Sequence, residues 1–377
     1  MLSSQKDMIK PNWYELDDLP AVESPGLVFY EDRIRENIKR LIGMIDHKAR
    51  LRPHVKTHKS AEVTRLMLQA GLKKFKCATI AEAEMLGSCE APDVLLAYQP
   101  VGPNIQRFMV LQKRFPATRF SCITDNLEAA DNIALAAKEN ELRVSIYIDV
   151  NVGMNRTGIL PEAVSALYQA LRTDEHLNLL GLHAYDGHIH EADFSLRQRE
   201  VTKIIQLLQS LQQQLETEQQ HKPTIVAGGT PGFPIYAKDS DFECSPGTFA
   251  LWDHGYQQTF REQDFLTAAL LVTRVVSLPA PNMICTDLGH KAVAAENMLS
   301  NRITFLNAPK LVPLSQSEEH LVLDAGENHR YKIGDVLYGL PIHICPTVAL
   351  YDYAYSVAAD RTPQLWPIRS RKRRDTI

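Results

Sequence analysis

The 377-residue chain has the composition of an ordinary globular protein, with 45% hydrophobic and 23% charged residues, which excludes a disordered or fibrous class. Its net charge of −4 provides no electrostatic footprint for nucleic acid. No apolar run reaches the roughly 18 residues of a membrane-spanning helix, and the N-terminal segment lacks the apolar core of a signal peptide. We therefore expect a soluble, cytoplasmic protein whose partners include neither nucleic acid nor a membrane.

Short apolar segments alternate with helical patterns between residues 26 and 230. In the helical patterns, apolar residues recur every three or four positions, as on the buried face of a helix. The strand candidates are residues 26–30, 49–55, 74–80, 93–98, 119–123, 143–150, 177–185 and 224–229. This succession of β/α units predicts an α/β fold built on a closed (β/α)8 TIM barrel, in which chemistry takes place at the C-terminal ends of the strands.

The texture of the sequence changes after about residue 265. Strand-like runs with turn residues follow one another, as in AALLVTRVVSL (268–278) and GDVLYGLPIHICPTVAL (334–350), without a long helical period between them. This pattern predicts a second, mainly antiparallel β domain. We expect a barrel over residues 20–265 and a β domain over 266–377 that also includes residues 1–19. The basic run at 369–374 predicts a solvated tail.

The cysteines are spread along the chain without CxxC spacing, which argues against a disulfide framework and against a structural zinc knuckle. All except one are expected to be ordinary buried thiols. They are Cys77, Cys89, Cys122, Cys244, Cys285 and Cys345.

Lys56 directly follows LRPHV, at the C-terminal end of the second predicted strand. A lysine there can condense with an aldehyde if neighbouring charge or desolvation keeps its amine partly deprotonated. Arg52, His54 and His58 are predicted to supply that positive surrounding. A lysine whose stem merely packs at the edge of a strand is the alternative interpretation.

Two loops after later strands have the residues of an anion site. In AGGTPGFP (227–234), Gly228 and Gly229 allow close approach of the backbone to an anion and Thr230 adds a hydroxyl, at a position where barrels commonly bind phosphate. In DVNVGMNRTGI (149–159), Arg156 and Thr157 could hold a phenolate-like oxygen or another phosphate oxygen. A tight turn and a polar helix-capping loop explain the same residues without a ligand.

His343 and Cys345 stand two positions apart in the strand-like run LPIHICPTV. Alternation along a strand would direct both side chains to one face. Imidazole and thiolate are good zinc ligands, and a pair leaves other coordination positions open for water or substrate. A hydrogen-bonded histidine beside a buried thiol is the alternative.

Taken together, these motifs resemble the fold-type III pyridoxal phosphate enzymes with an alanine racemase-like barrel, and more closely the D-threonine aldolase and D-serine dehydratase family. The resemblance extends from about residue 20 to 367. It rests on the segments RPHVKTHK, GMNRTGI, GLHAYDGH, AGGTPGFP, ECSPGTFALWD, CTDLGHKAV and HICPTV.

The family resemblance implies a role for each candidate residue. The cofactor contacts would be Lys56 as the Schiff-base lysine, Arg156 at the ring oxygen, Gly228, Gly229 and Thr230 with Thr157 around the phosphate, and Tyr185 and Gln99 beside the ring or the phosphate. His343 and Cys345 would hold a divalent metal. Family members with cysteine at the second ligand are dehydratase-like, whereas aldolases typically have aspartate, and thiolate favours Zn²⁺. A homodimer is also implied.

The expected function is that of a lyase acting on D-3-hydroxy amino acids with pyridoxal 5'-phosphate and a divalent metal. In a dehydratase, Lys56 would take the Cα proton and zinc would assist departure of the hydroxyl, leading to a keto acid and ammonia. In an aldolase, a base such as His54 or His58 would deprotonate the hydroxyl and the Cα–Cβ bond would break. The 3-substituent and the identity of the metal stay open.

Two other functions are weaker alternatives. An amino acid racemase would need a second acid/base and no metal, so the His343 and Cys345 pair speaks against it. A non-catalytic pyridoxal phosphate carrier would resemble only the first 265 residues.

Overall fold

The computed structural model of the chain describes residues 12–16, 19–219, 222–358 and 363–377. Its α-helices are α1 (Glu31–Gly43), α2 (Ala61–Gln69), α3 (Ile80–Ser88), α4 (Pro103–Arg114), α5 (Leu127–Glu139), α6 (Val164–Leu171), α7 (Phe194–Gln219), α8 (Phe233–Asp239), α9 (His254–Thr259) and α10 (Ile344–Val348). Its strands are β1 (Gly26–Tyr30), β2 (Lys74–Cys77), β3 (Asp93–Leu96), β4 (Arg119–Thr124), β5 (Val144–Val150), β6 (Leu177–Ala184), β7 (Thr224–Ala227), β8 (Glu243–Cys244), β9 (Ala269–Ala280), β10 (Met283–Thr286), β11 (Ile303–Phe305), β12 (Val312–Gln316), β13 (Leu321–Asp324), β14 (Val336–Pro341), β15 (Tyr353–Val357) and β16 (Gln364–Pro367).

Strands β2 to β8 form one parallel sheet in chain order. Residues 51–54 join its two edges, because Leu51 pairs with Cys244 of β8 and His54 pairs with Lys76 of β2, both in parallel. The segment 51–54 is thus the first barrel strand and β8 the last. The predicted parallel α/β barrel with a separate, mostly antiparallel β sheet is confirmed.

The prediction that residues 26–30 form a barrel strand is wrong. Strand β1 belongs to the other sheet, where Leu27 pairs antiparallel with Leu271 of β9 and Val28 pairs parallel with Tyr355 of β15. All five residues of β1 are buried, and a buried strand has the same apolar pattern in either sheet. Lys56 therefore follows the first barrel strand, not the second.

The antiparallel sheet is organised around the long strand β9, which pairs with β1, β10 and β14. The N-terminal residues that are described pack on this sheet, since the Tyr30 hydroxyl donates to the Tyr14 carbonyl at 2.5 Å and the Trp13 and Tyr30 rings lie 5.1 Å apart. Residues 1–11 and 17–18 of the predicted domain lie outside the described residues. The boundary at residues 265 and 266 stays a prediction.

Helices that follow the barrel strands begin with side-chain caps. Ser60, Thr79 and Asn126 each accept a hydrogen bond from the backbone N–H three residues later, which satisfies an otherwise unpaired donor at the start of α2, α3 and α5. These caps fix the points at which the loops at the C-terminal ends of the strands turn into helices. None of the described helices has both the length and the apolar character needed to cross a membrane.

The basic C-terminal segment is not a solvated tail, contrary to the prediction. Ser370 is buried and its hydroxyl donates to the Lys59 carbonyl at 2.9 Å. The guanidinium of Arg371 donates to the Ala349 carbonyl, also at 2.9 Å. The buried final residue, Ile377, accepts a hydrogen bond from Arg107. Several exposed basic side chains of the run gave the sequence its tail-like character, while the backbone and Ser370 hold it in place.

All six cysteines lie in the described part of the chain and are free thiols, five of them buried and Cys345 partly exposed. The expectation of buried structural thiols without a disulfide framework is confirmed.

Candidate active site

A cavity of about 970 Å³ is lined by residues that follow successive barrel strands. Nearly every residue predicted for the site contributes to its wall. These are Lys56, Gln99, Arg156, Thr157, Tyr185, Gly229, Thr230, His343 and Cys345. Gly228, the remaining candidate, precedes Gly229 and is not itself a lining residue. The structure thus brings together residues that are up to 289 positions apart in the sequence, while the role of each stays a prediction.

Two cationic side chains of the cavity, Lys56 and Arg156, lie near the ring of Tyr185. The Lys56 amine lies 5.4 Å and the Arg156 guanidinium 5.0 Å from the ring centroid. Neither group makes an ion pair with a described residue, so both remain available to an anionic or aldehyde-bearing ligand. Gln99 is fixed nearby because its side-chain carbonyl accepts from the Thr124 hydroxyl and the Asp125 amide, each at 2.9 Å.

Arg52, His54 and His58 do not supply the positive surrounding that the sequence predicted for Lys56. Burial and the charge of Lys56 hold the pKa of His54 well below its usual value, and burial lowers the pKa of His58 to about 3. Both rings are therefore neutral at neutral pH. Arg52 is buried between Glu243, at 2.7 Å, and Asp93, at 2.6 Å, which neutralise it.

A buried lysine that sequence reasoning missed takes their place. Lys76 of β2 is 2% exposed, and its amine lies 3.5 Å from His183 Nε2 and 5.7 Å from the Tyr185 ring centroid. Burial and the charge of Lys56 lower the pKa of Lys76 to about 7. The signal available in the sequence was a lysine inside the apolar run KFKCATI, where a barrel strand alternates between interior and exterior.

The loop after β7 has the backbone shape that the sequence predicted. Gly228 has φ +76°, and a Cβ there would lie 2.6 Å from the Tyr236 ring. The Gly229 amide is already used, because it donates to the Asp186 carboxylate at 3.0 Å. Thr230 accepts from the Gly247 amide at 3.1 Å, which leaves its own hydroxyl proton free to donate.

Ser245 gives the clearest indication that this part of the cavity can bind an anion. Its hydroxyl is buried without a hydrogen-bond partner in the described part of the chain, and the residue lines the same cavity as Gly229 and Thr230. Buried hydroxyls are normally paired, so an unpaired one at a cavity wall fits a ligand oxygen. Together with the free amine of Lys56, these residues fit an aldehyde cofactor that carries a phosphate. The sequence motif ECSPGTF contained Ser245, but no pattern singled it out.

The pair His343 and Cys345 does not lie on a strand, contrary to the prediction. Strand β14 ends at Pro341, His343 precedes α10, and Cys345 lies in the first turn of that helix. Pro346 is compatible with this turn, because the first turn of a helix needs no proline N–H. The backbone amide of Ile344 donates to the Asp253 carboxylate at 3.1 Å, which holds the start of the helix.

Both side chains of the pair nevertheless face the cavity. His343 Nδ1 lies 2.6 Å from the Glu296 carboxylate, which leaves Nε2 for a metal ion. The Cys345 sulfur lies 3.2 Å from the hydroxyl of Thr57, the residue after Lys56. Among the described residues no group of three or more histidine, cysteine or carboxylate side chains could hold a metal. The pair fits a divalent ion that completes its coordination with water or substrate.

The Alanine racemase, N-terminal domain family matches residues 30–250, more than half of the chain. The chain belongs to this family. A second match, to the Putative serine dehydratase domain, covers residues 268–357. The chain therefore combines the two domains found in fold-type III enzymes such as D-threonine aldolase and D-serine dehydratase. By class it is a pyridoxal-phosphate-dependent lyase.

Similar proteins match this chain along nearly their whole length. D-threonine aldolase of Arthrobacter sp is 26% identical over 362 residues, with 94% of each chain covered. D-threo-3-hydroxyaspartate dehydratase of Delftia sp. (strain HT23) is 24% identical, with 93% of this chain and 98% of the relative covered. The solved D-threonine aldolase of Filomicrobium marinum superposes with a TM-score of 0.84 at 22% identity, covering 93% of this chain and 95% of that one.

Proposed function

We propose that the protein is a lyase of D-3-hydroxy amino acids that uses pyridoxal 5'-phosphate and a divalent metal and catalyses the elimination reaction of a D-serine dehydratase. One observation supports this above the others: the Lys56 amine and the His343 and Cys345 pair line a single cavity, with Thr57 bridging from Lys56 to the Cys345 sulfur at 3.2 Å. The cavity volume of about 970 Å³ has room for the cofactor and a small amino acid.

The residues of the cavity suit distinct tasks. Bound pyridoxal phosphate acts as an electron sink for negative charge at the substrate Cα. Lys56 would hold the cofactor and, once the substrate has displaced it, take the proton from Cα. Arg156 would face the ring oxygen, and Ser245 and Thr230 would donate to the phosphate. Thr157 lines the same cavity, but its hydroxyl already donates to Asp149 at 2.9 Å. His343 and Cys345 would hold the metal beside the 3-hydroxyl, where a Lewis acid assists departure of hydroxide.

The tautomers of two histidines favour elimination of water over cleavage of the Cα–Cβ bond. His54 Nδ1 accepts the Lys56 amide and His58 Nδ1 accepts the Ser60 amide, so each neutral ring carries its proton on Nε2. A ring in this state is a donor at Nε2 and cannot take the proton of a substrate hydroxyl there. His58 also lies outside the cavity wall. The bases suggested for an aldolase are thus poorly suited.

An aldolase that yields glycine and an aldehyde remains the second candidate, supported by the D-threonine aldolase similarity. Incubation of the zinc-loaded holoenzyme with D-serine and D-threonine separates the two. Pyruvate or 2-oxobutyrate with ammonia supports the dehydratase, and glycine with acetaldehyde supports the aldolase. Activity that survives complete chelation would refute the metal assignment, and unchanged visible cofactor absorbance in Lys56→Ala would refute the cofactor lysine.

Assembly and location are part of the same proposal. We infer a homodimer in the cytoplasm, without nucleic acid or membrane partners, on the basis of the family resemblance and the sequence. Sedimentation analysis of the holoenzyme tests the dimer.

A further inference from the structure

Lys76 stands apart from the other charged residues of the barrel interior. Its amine is fully buried, and no carboxylate among the described residues lies within ion-pair distance of it. Burying an ammonium group without a partner is unfavourable, and such lysines shed their proton instead. The pKa of about 7 follows from burial first and from the nearby charge of Lys56 second.

The backbone places the two lysines on neighbouring strands. The Lys76 amide donates to the Pro53 carbonyl and the Val55 amide donates to the Lys76 carbonyl, both at 2.9 Å. Lys56 follows Val55 directly. Both amines flank the Tyr185 ring, at 5.4 and 5.7 Å from its centroid, so the charge of one acts on the other.

A row of hydrogen bonds fixes Lys76 from the other side. His183 Nδ1 lies 2.7 Å from Asp149, which also accepts from the Thr157 hydroxyl at 2.9 Å. Although burial acts to raise it, these two hydrogen bonds hold the pKa of Asp149 below its usual value. With Asp149 ionised, the His183 proton sits on Nδ1 and Nε2 is left as an acceptor for Lys76. The amine is thereby oriented and keeps a lone pair when neutral.

We propose that Lys76 acts through Lys56, by accepting a proton from the Lys56 amine when the cofactor attaches. The inference rests on the proposed function, because it assumes that Lys56 is the cofactor lysine. The Lys56 ammonium gives one proton to the Lys76 amine, and the freed lone pair forms a bond to the aldehyde carbon of the cofactor. Both remaining amine protons leave with the aldehyde oxygen as water, and a C=N bond results. Lys76 then carries the positive charge that Lys56 has lost.

Other titratable groups around Lys76 are unsuited to this role. His54 and His183 have pKa values lowered by burial, and their ring nitrogens are engaged with Lys56 and Asp149. Burial raises the pKa of Asp186, and the negative charge of its carboxylate acts to raise the pKa of Lys76. Arg52 does not release its proton in proteins.

The rate of cofactor attachment tests the inference without relying on turnover. The full-length apoprotein is mixed with pyridoxal 5'-phosphate, and growth of the visible absorbance is followed from pH 6 to 9. We expect the wild-type rate to rise through about pH 7 and Lys76→Met to be slower by about tenfold or more. Lys76→Arg should be equally slow, because a guanidinium keeps the charge but accepts no proton. Lys73→Met, at an exposed position three residues earlier, is the matched control and should behave like wild type.

Each remaining outcome decides the matter. An unchanged pH profile in Lys76→Met, or full recovery in Lys76→Arg, would overturn the inference while leaving the proposed function intact. Failure of wild type to attach the cofactor would overturn both. Met keeps the unbranched apolar stem of Lys76, so the variant is expected to fold. Circular dichroism and the final amplitude of the absorbance distinguish a slow attachment step from a misfolded variant.

Discussion

Acid stability should depend on His58 in a way that its burial makes calculable. The ring is completely buried, its Nδ1 accepts the Ser60 amide at 3.2 Å, and burial lowers its pKa to about 3. In the unfolded chain the pKa returns to about 6.5. The unfolded state therefore binds a proton below pH 6.5 that the folded state refuses. Stability from this group is present above pH 6.5 and is lost as the pH falls towards 3.

The size of this loss follows from linkage. Between pH 7.5 and pH 5, protonation of the unfolded state lowers the free energy of unfolding by about 2 kcal/mol, and by pH 4 the loss is about 3 kcal/mol. His58→Asn removes the titration and keeps an acceptor for Ser60. We expect the variant to be less stable at pH 7.5, because it loses packing, and to approach wild type by about 2 kcal/mol at pH 5.

Urea unfolding at pH 7.5, 6.5, 5.5 and 5.0 measures the difference. The buried His54 titrates in both proteins, so its contribution cancels in the comparison. A difference between wild type and variant that stays constant over these pH values would refute the reasoning, because it would mean that His58 has the same proton affinity folded and unfolded.

Three further predictions concern the cofactor and metal ends of the cavity. Gly228→Ala forces a Cβ to within 2.6 Å of the Tyr236 ring at φ +76°, so chemical denaturation should show a loss of about 1–3 kcal/mol of stability, and cofactor binding should weaken. Gly43→Ala is the control and should do neither, because there is open space around Gly43. Cys345→Ser should bind zinc at least about tenfold more weakly by competition with a chelator, because a hydroxyl is a poor zinc ligand at neutral pH. Glu296→Gln should weaken zinc binding by about 10–100-fold in the same assay, since the carboxylate orients His343; equal affinity in either metal variant would remove that residue from the site.

Local pattern was enough to predict the parts of the site that lie at strand ends. Lys56, Arg156, Tyr185 and Thr230 each follow an apolar run, and parallel strands that close into a barrel bring such positions to one rim. Their convergence on one cavity was therefore predictable before any contact was known. The assignment of strands to sheets was not, since β1 is buried on both faces whichever sheet contains it.

Electrostatic surroundings were harder to predict than positions. The basic residues around Lys56 suggested a positive environment. Whether a histidine is protonated depends on its burial, and whether the charge of an arginine is offset depends on partners far along the chain. Arg52 is neutralised partly by Glu243, 191 positions away, and His58 is neutral because it is buried. Conversely, Lys76 looks unremarkable in sequence and becomes significant only because the barrel closes next to it.

The position of the His343 and Cys345 pair, the proposed metal ligands, depends on the second sheet. Strand β1 is held between β9 and β15, and β9 also pairs with β14, the strand that leads to His343. Since α1 follows β1 without a break and α10 follows β14 after two residues, one sheet anchors both the entry to the barrel and the helix that carries Cys345. The sulfur contacts Thr57 and Thr248 on the barrel side, at 3.2 and 3.8 Å. Sheet pairing thus sets the position of the His343 and Cys345 pair relative to the Lys56 amine. If the pair holds a metal as proposed, loosening β14 from β9 should impair turnover before it impairs cofactor binding.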